Sequence, residues 1–366
     1  MKEHQIEIWA GPIIKALIVS KLVDFLSKCK KLMQINNFIG IDVSKLTLDI
    51  TAVVDGKDVG YLQIKNTTKE INKGLVGFLE RLGLDLESCV FCMEFTGIYT
   101  YPLVKWLGIH NARIWMESGI QIKRSSGFKR GKSDKTDSLR IAMYAYEQRQ
   151  KMKLWVSPRP VIKHIAALLA QRSRLMKCKK QLMTALTEQA GFVEKEILKE
   201  ISRYNQKPVK EIDKQIKEIE ISIKQLVKDD QNLTRLEKLV CSVDGVGFIT
   251  GIHIIVTTNE FINFIDPRKY ACYSGVVPFE HSSGSSIRGK NRVSQMANKN
   301  MKTLLHMAAL TAIQHNEELR EYYKSKIEHK NKMSVINAVR NKLIHRIFAC
   351  VNQNRLYIKK YQQRLV

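Results

Sequence analysis

The sequence predicts an α/β domain up to about residue 150, then a pair of long helices, then a mainly helical C-terminal domain. Three observations carry this. Short β-rich runs alternate with helix-period runs in the first part. Residues 160–240 place apolar positions at helical spacing among dense Lys and Glu. The remainder passes through a Gly/Ser-rich segment and closes in basic helical stretches. At 366 residues the chain can bury two or three separate cores.

In chain order, "FIGIDVSKLTLDITAVV" reads as two β-rich runs around a turn and "DVGYLQIKN" as a third strand. "GLVGFLERLG" is a helix, "CVFCMEFTG" a strand, "YPLVKWLG" a helix and "ARIWMES" a strand. "SDKTDSLRIAMYAYEQ" is helical by the spacing of Leu139, Ala142, Met143 and Tyr146, with Ser133 able to cap it. Two long helices follow, expected to break near "RYNQKPVK", where Pro208 and Asn205 disfavour continuation. The expected parts are an N-terminal extension (1–34), the α/β domain (35–155), a helical coiled-coil linker (156–238) and a C-terminal domain (239–366). Lys15 and Lys21 interrupt the apolar content of the extension, so residues 1–32 read as an amphipathic helix rather than a signal or membrane span. Met33 stands just before the first strand, and the segment fits an upstream extension of the reading frame.

Charge narrows the partners. Lys plus Arg number 61 against 35 Asp plus Glu, a net charge of +26 spread through the chain, which points to a polyanion. Nucleic acid ranks ahead of a membrane surface, since no acylation signal is present. Seven cysteines without a repeated spacing suit thiols in a reducing cytoplasm. Cys89 and Cys92 form a C-x-x-C whose better reading is a buried strand.

Four carboxylates stand out. Asp42 and Glu94 each end an otherwise apolar strand, where an acid is costly unless paired or bound to a cation. Asp134 and Asp137 share one face of the helix that begins at Ser133. Four oxygen donors suit Mg²⁺ or Mn²⁺ better than zinc, and such ions serve phosphodiester chemistry. Lys129, Arg130, Lys132 and Lys135 surround the pair and could hold a phosphate backbone. By spacing alone, acids offsetting a helix dipole plus two surface acids at strand ends fit equally well.

Taken in order, "IGIDVSK", "MEFTGIYTYPLVKWL", "KSDKTDSLRIA", "DGVG" and "GVVPFEHSSGSSIRGKNRVSQMANKNMKTLL" resemble the IS110-type insertion-sequence transposases over roughly residues 35–350. The resemblance implies an RNase H-like (RuvC-like) nuclease domain, a helical coiled-coil arm and a mainly α-helical C-terminal transposase domain. Motif by motif, it places a D-E-D-D metal tetrad on Asp42, Glu94, Asp134 and Asp137. It also implies DNA as substrate, a noncoding guide RNA, a homo-oligomer (dimer or tetramer) whose subunits share a composite site, and a cytoplasmic, nucleoid-associated location in a prokaryote.

By composition "EHSSGSSIRGKNRVS" is a linker, in which Arg288, Lys290 and Arg292 could bind phosphate. The resemblance implies a serine nucleophile in a P-x-x-x-x-S-G segment, which from Pro278 falls on Ser283, with Ser282 adjacent. Downstream, Ser294-Gln295-Met296-Ala297-Asn298 departs from the family's S-K-x-G, and Lys302 stands where Arg is frequent. Ala297 visits positive φ less cheaply than Gly, so a different turn or a helical segment is expected. "SVDGVGFITGIHII" fits either a phosphate-binding hairpin around Gly245 and Gly247 or a tight turn between packed helices. The leading function is RNA-guided DNA transposition. A structure-specific nuclease using water, and an inactive nucleic-acid-binding relic, are the alternatives.

Overall fold

A computed structural model describes residues 35–95, 97–125, 133–283, 287–294 and 296–358, with side chains except at 280–283 and 287–292. The chain forms two compact units, Met1–Ser157 and Pro158–Val366. The N-terminal extension, residues 1–34, lies outside the described residues.

Unit one is built on strands β1 (Asn37–Val43), β2 (Thr47–Val54), β3 (Lys57–Lys65), β4 (Cys89–Glu94) and β5 (Arg113–Glu117), ordered β3-β2-β1-β4-β5. β1, β2 and β3 run as an antiparallel meander, and β4 and β5 continue the sheet parallel to β1. This is the strand order of an RNase H-like fold. Asp55 and Gly56, both at positive φ, make the tight β2–β3 turn that suits strand twist. Helices α1 (Thr68–Arg81) and α2 (Tyr101–Ile109) cover one face, burying Ile71, Leu75, Leu103 and Leu107 against Ile39, Ile41, Phe91 and Met93. The opposite face packs Phe38, Val90, Cys92 and Trp115 against Ile122 of α3 (Gly119–Ser125) and Ile141, Tyr144 and Ala145 of α4 (Asp134–Glu147). Cys89 and Cys92 are buried strand thiols.

Unit two opens with α5 (Pro160–Gln189) and α6 (Lys195–Lys228), paired through Arg172–Glu220 (2.7 Å) and Lys179–Asp213 (2.6 Å). The break is not at "RYNQKPVK". Pro208 lies inside continuous α6, and the chain turns at Ala190–Glu194, where Gly191 takes φ +92. Pro208 and the neighbouring Tyr204 are exposed, so its ring and the carbonyl it frees meet solvent rather than a core. A second stop follows at Asp230, whose carboxylate accepts from Leu233 N–H (2.9 Å) and caps α7 (Gln231–Cys241).

Helices α7, α8 (Phe248–Thr257), α9 (Pro267–Tyr273), α10 (Lys299–His315), α11 (Glu317–Ile327) and α12 (Lys332–Asn352) enclose Tyr270, Leu305, Leu343 and Phe348. The α7–α8 connection is a packed turn. A Cβ on Gly245 would meet the Ala308 carbonyl oxygen at 2.3 Å, and Val243 and Val246 are buried, so the segment seats on α10. Between α9 and α10 the serine segment forms an antiparallel hairpin of β6 (Pro278–Ser283) and β7 (Ile287–Val293), rather than the linker its composition suggests. Gly275, at φ +66, accommodates the Ala297 methyl at its foot, and Asn298 caps α10 by accepting from Met301 N–H (3.0 Å).

Candidate active site

Strand register gathers the strand acids. Asp42 pairs across β1–β2 with Asp49, and Glu94 pairs across β4–β5 with Glu117. Since Ile41 pairs with Met93 between parallel β1 and β4, Asp42 and Glu94 occupy the next step on neighbouring strands. Lateral neighbours share a sheet face, so Gln63, Asp49, Asp42, Glu94 and Glu117 form one row across all five strands, on the face that α4 covers.

Helix α4 approaches this row because Gly40 lets it. A Cβ on Gly40 would stand 2.3 Å from both Ser138 O and Ala142 N, so the helix backbone lies directly on β1 two residues before Asp42. Buried Ser138 and Thr51 share a hydrogen bond of 2.7 Å, and Thr51 is the register partner of Gly40, which fixes the helix along its axis. The first turn of α4 then carries Asp134 and Asp137 to the Asp42 end of the sheet. Ser133 caps it as expected, accepting from Thr136 N–H at 3.2 Å.

Electrostatics records the gathering. Burial raises the Asp42 carboxyl to about 6, helped by the charges of Asp137, Glu94, Asp134 and Asp49. The charges of the other three expected acids therefore reach Asp42, yet among the described residues no three metal-ligating side chains close into a cage. Asp137 is turned to Arg140 (2.8 Å), and Glu94 Oε2 lies where a Cβ on Gly119 would be, 2.3 Å away. The donor set suits a hard divalent cation, which would relieve the repulsion at Asp42, and binding would draw Asp137 and Glu94 from these partners.

Of the basic residues expected near the acids, Lys135 is exposed, with Nζ 5.2 Å from the Tyr61 ring centre. Lys129, Arg130 and Lys132 lie outside the described residues. In unit two, Ser283 ends β6 in register with Ile287, while Ser282 is in register with Arg288. Arg288, Lys290 and Arg292 take alternate positions along β7; the side chains of these residues and of both serines lie outside the description. Several neighbours of the tetrad were not singled out from sequence: Gly40, Thr51, Ser138, Asp49 and Glu117. Asp49 carried one available signal, an acid inside the apolar run "TLDITAVV".

Two transposase family profiles match the chain. One, a DEDD transposase of IS110 type, covers residues 39–190, and the other, the Transposase IS116/IS110/IS902 family, covers 237–324. The pilin gene-inverting proteins of Moraxella lacunata and Moraxella bovis are 23% and 24% identical over 331 and 338 residues, each spanning 89% of this chain and 99% of the relative. The transposase for insertion sequence element IS1328 of Yersinia enterocolitica is 26% identical over 151 residues, 40% of this chain and 43% of its own. T. thermophilus RuvC, solved with a Holliday junction substrate, aligns with 32% of this chain and 99% of its own at 14% identity and TM-score 0.25.

Proposed function

We propose that this chain, which belongs to the IS110 family of transposases, cuts and rejoins DNA through Ser283, assisted by a divalent cation at Asp42, Glu94, Asp134 and Asp137. The observation that carries the cation half is the convergence of the helix α4 acids on the strand-end pair, felt as the raised carboxyl of Asp42. Mg²⁺ or Mn²⁺ held there would supply Lewis-acid activation of the attacking oxygen and stabilise charge on the leaving one. The tetrad residues orient that charge, and the basic residues Lys129, Arg130, Lys132 and Lys135 hold the phosphate backbone beside it.

In the second half, the Ser283 hydroxyl oxygen attacks the DNA phosphorus, a serine–phosphate bond forms as the bond from phosphorus to the sugar oxygen breaks, and the departing sugar oxygen takes up the proton that the serine gives up. Conserving the ester in a protein–DNA adduct permits rejoining without ATP. Arg288, Lys290 and Arg292 belong to β7, the strand paired with the one Ser283 ends, and in this reading they bind the phosphate. As the family resemblance implies, we propose that the acids and the serine meet in a composite site supplied by different subunits of a dimer or tetramer. We propose as domain parts an extension 1–34, a nuclease domain 35–155, a helical linker 156–238 and a transposase domain 239–366.

A noncoding guide RNA would choose the DNA, with the protein working in the cytoplasm on the nucleoid. The Moraxella relatives are pilin gene-inverting proteins, which supports rejoining, since inverting a gene requires that cut ends be resealed. No described helix is long and apolar enough to cross a membrane.

The test is a denaturing gel of end-labelled DNA incubated with enzyme, Mg²⁺ and its RNA. Ser283→Ala retains DNA binding and loses the covalent adduct, while Ser282→Ala keeps it. An adduct from Ser283→Ala removes the serine assignment. Cleaved ends never attached to protein favour a water-using nuclease, and binding without any cleavage favours an inactive relic.

A further inference from the structure

The acid row extends one strand past the tetrad. Asp49 is the direct register partner of Asp42, and like charges placed opposite each other on adjacent strands are destabilising. Asp49 is also only 2% exposed, and a buried carboxylate is costly without compensation. Its donors are both neutral: the Tyr61 hydroxyl at 2.5 Å and Gln63 Nε2 at 2.9 Å. Both go to Oδ1. Among the described residues no hydrogen bond reaches Oδ2 and no Lys, Arg or His forms an ion pair with Asp49. Lys135 stops at the Tyr61 ring.

Glu117, at the other side of the row, provides the contrast. It pairs in register with Glu94, but Ser118 N–H donates to its Oε1 (2.9 Å) and the Tyr144 hydroxyl to its Oε2 (3.1 Å). Both oxygens are used locally, and Glu117 needs no further partner. Asp49 keeps one oxygen without a hydrogen bond from a described residue, on the strand position directly opposite Asp42.

We infer that Asp49 is a positioning carboxylate for the cation of the tetrad, with Tyr61 and Gln63 fixing one oxygen so that the other adds its charge to the site beside Asp42. The inference rests on the cation reading above and extends it to three residues, Asp49, Tyr61 and Gln63, that the tetrad motif does not include. Without a cation the two adjacent acids repel; with one, the same pair attracts it. The Tyr61 and Gln63 donors stop the Asp49 carboxylate from rotating away, as outer hydrogen bonds commonly do for groups that serve a metal site.

The experiment titrates Mn²⁺ into the full-length protein without nucleic acid, followed by the electron paramagnetic resonance of free Mn²⁺ and by the Tm difference between Mn²⁺ and EDTA. Wild type binds, and Asp42→Asn loses binding. Asp49→Asn weakens Mn²⁺ roughly 10-fold or more, the usual scale for such outer residues, and shrinks the Mn²⁺-dependent Tm shift. A purely structural role would lower Tm in EDTA and Mn²⁺ alike and leave the shift intact. If wild type binds no Mn²⁺, or Asp42→Asn binds it undiminished, the cation reading fails and this inference with it. If Asp42→Asn loses binding while Asp49→Asn matches wild type, this inference alone is overturned. Should Asp49→Asn not fold, Tyr61→Phe decides, since it leaves the charge and removes one donor: several-fold weaker Mn²⁺ binding is expected, and unchanged binding overturns the assignment.

Discussion

Gly40 decides where the helix acids lie, although it carries no functional group. The atoms a methyl would meet are Ser138 O and Ala142 N of α4, both at 2.3 Å, and these are backbone, so no side-chain rotation can relieve the clash. Gly40→Ala must push α4 off β1, strain the Thr51–Ser138 bond, and move Asp134 and Asp137 from Asp42. The expected cost is about 1–3 kcal/mol, the scale of overpacking in a tight core, read as a lower Tm, together with a fall in Mg²⁺-dependent cleavage larger than the stability loss explains. A variant with wild-type Tm and cleavage would show that the close approach does not position the acids. Asp42 and Glu94 were legible in sequence because an acid ending an apolar strand is conspicuous in one dimension. Gly40, Thr51 and Asp49 were not, because their roles depend on register between strands and on which helix backbone crosses them, neither of which the local pattern contains.

Elements were legible where a local cause fixes them. Ser133 caps α4, a choice decided within four residues. Pro208 misled because the cost of proline depends on what its ring and the freed carbonyl meet, and here the position is exposed. The serine segment likewise reads as a linker by composition, while cross-strand pairing makes it a hairpin. Packing between elements sets a pH response too. His253 of α8 is held down to about 4, first by burial among the helices and then by the charge of Arg172 on α5. The unfolded chain takes that proton near pH 6.5, which the folded chain refuses until about 4. The contribution is therefore complete above pH 6.5 and is lost as pH falls toward 4. The ceiling is about 1.4 kcal/mol per pH unit. Allowing for the partial exposure of the ring, about 1 kcal/mol is lost by pH 5, or roughly 2–4 °C in the Tm of unit two. His253→Gln should flatten that slope between pH 7 and 5 in calorimetry; an unchanged slope would assign the acid sensitivity elsewhere.

At the scale of the whole molecule, the net charge of +26 sets how DNA is held before any chemistry. Each phosphate neutralised by Lys or Arg releases condensed counterions, so the logarithm of affinity falls with the logarithm of salt at a slope of about −0.9 per contact. A chain making roughly six to ten such contacts loses about 10³–10⁵ in affinity between 50 and 200 mM salt. Contacts of this kind fix position on the duplex without reading its sequence. If choice of site resides in a paired RNA, the protein without RNA should bind unrelated duplexes with nearly equal affinity, and all should weaken in parallel as salt rises. Fluorescence anisotropy on several duplexes across that salt range measures both quantities. A strong preference for one duplex by the RNA-free protein would move sequence choice to its own side chains, and a shallow salt slope would mean that its positive charge serves something other than the DNA backbone.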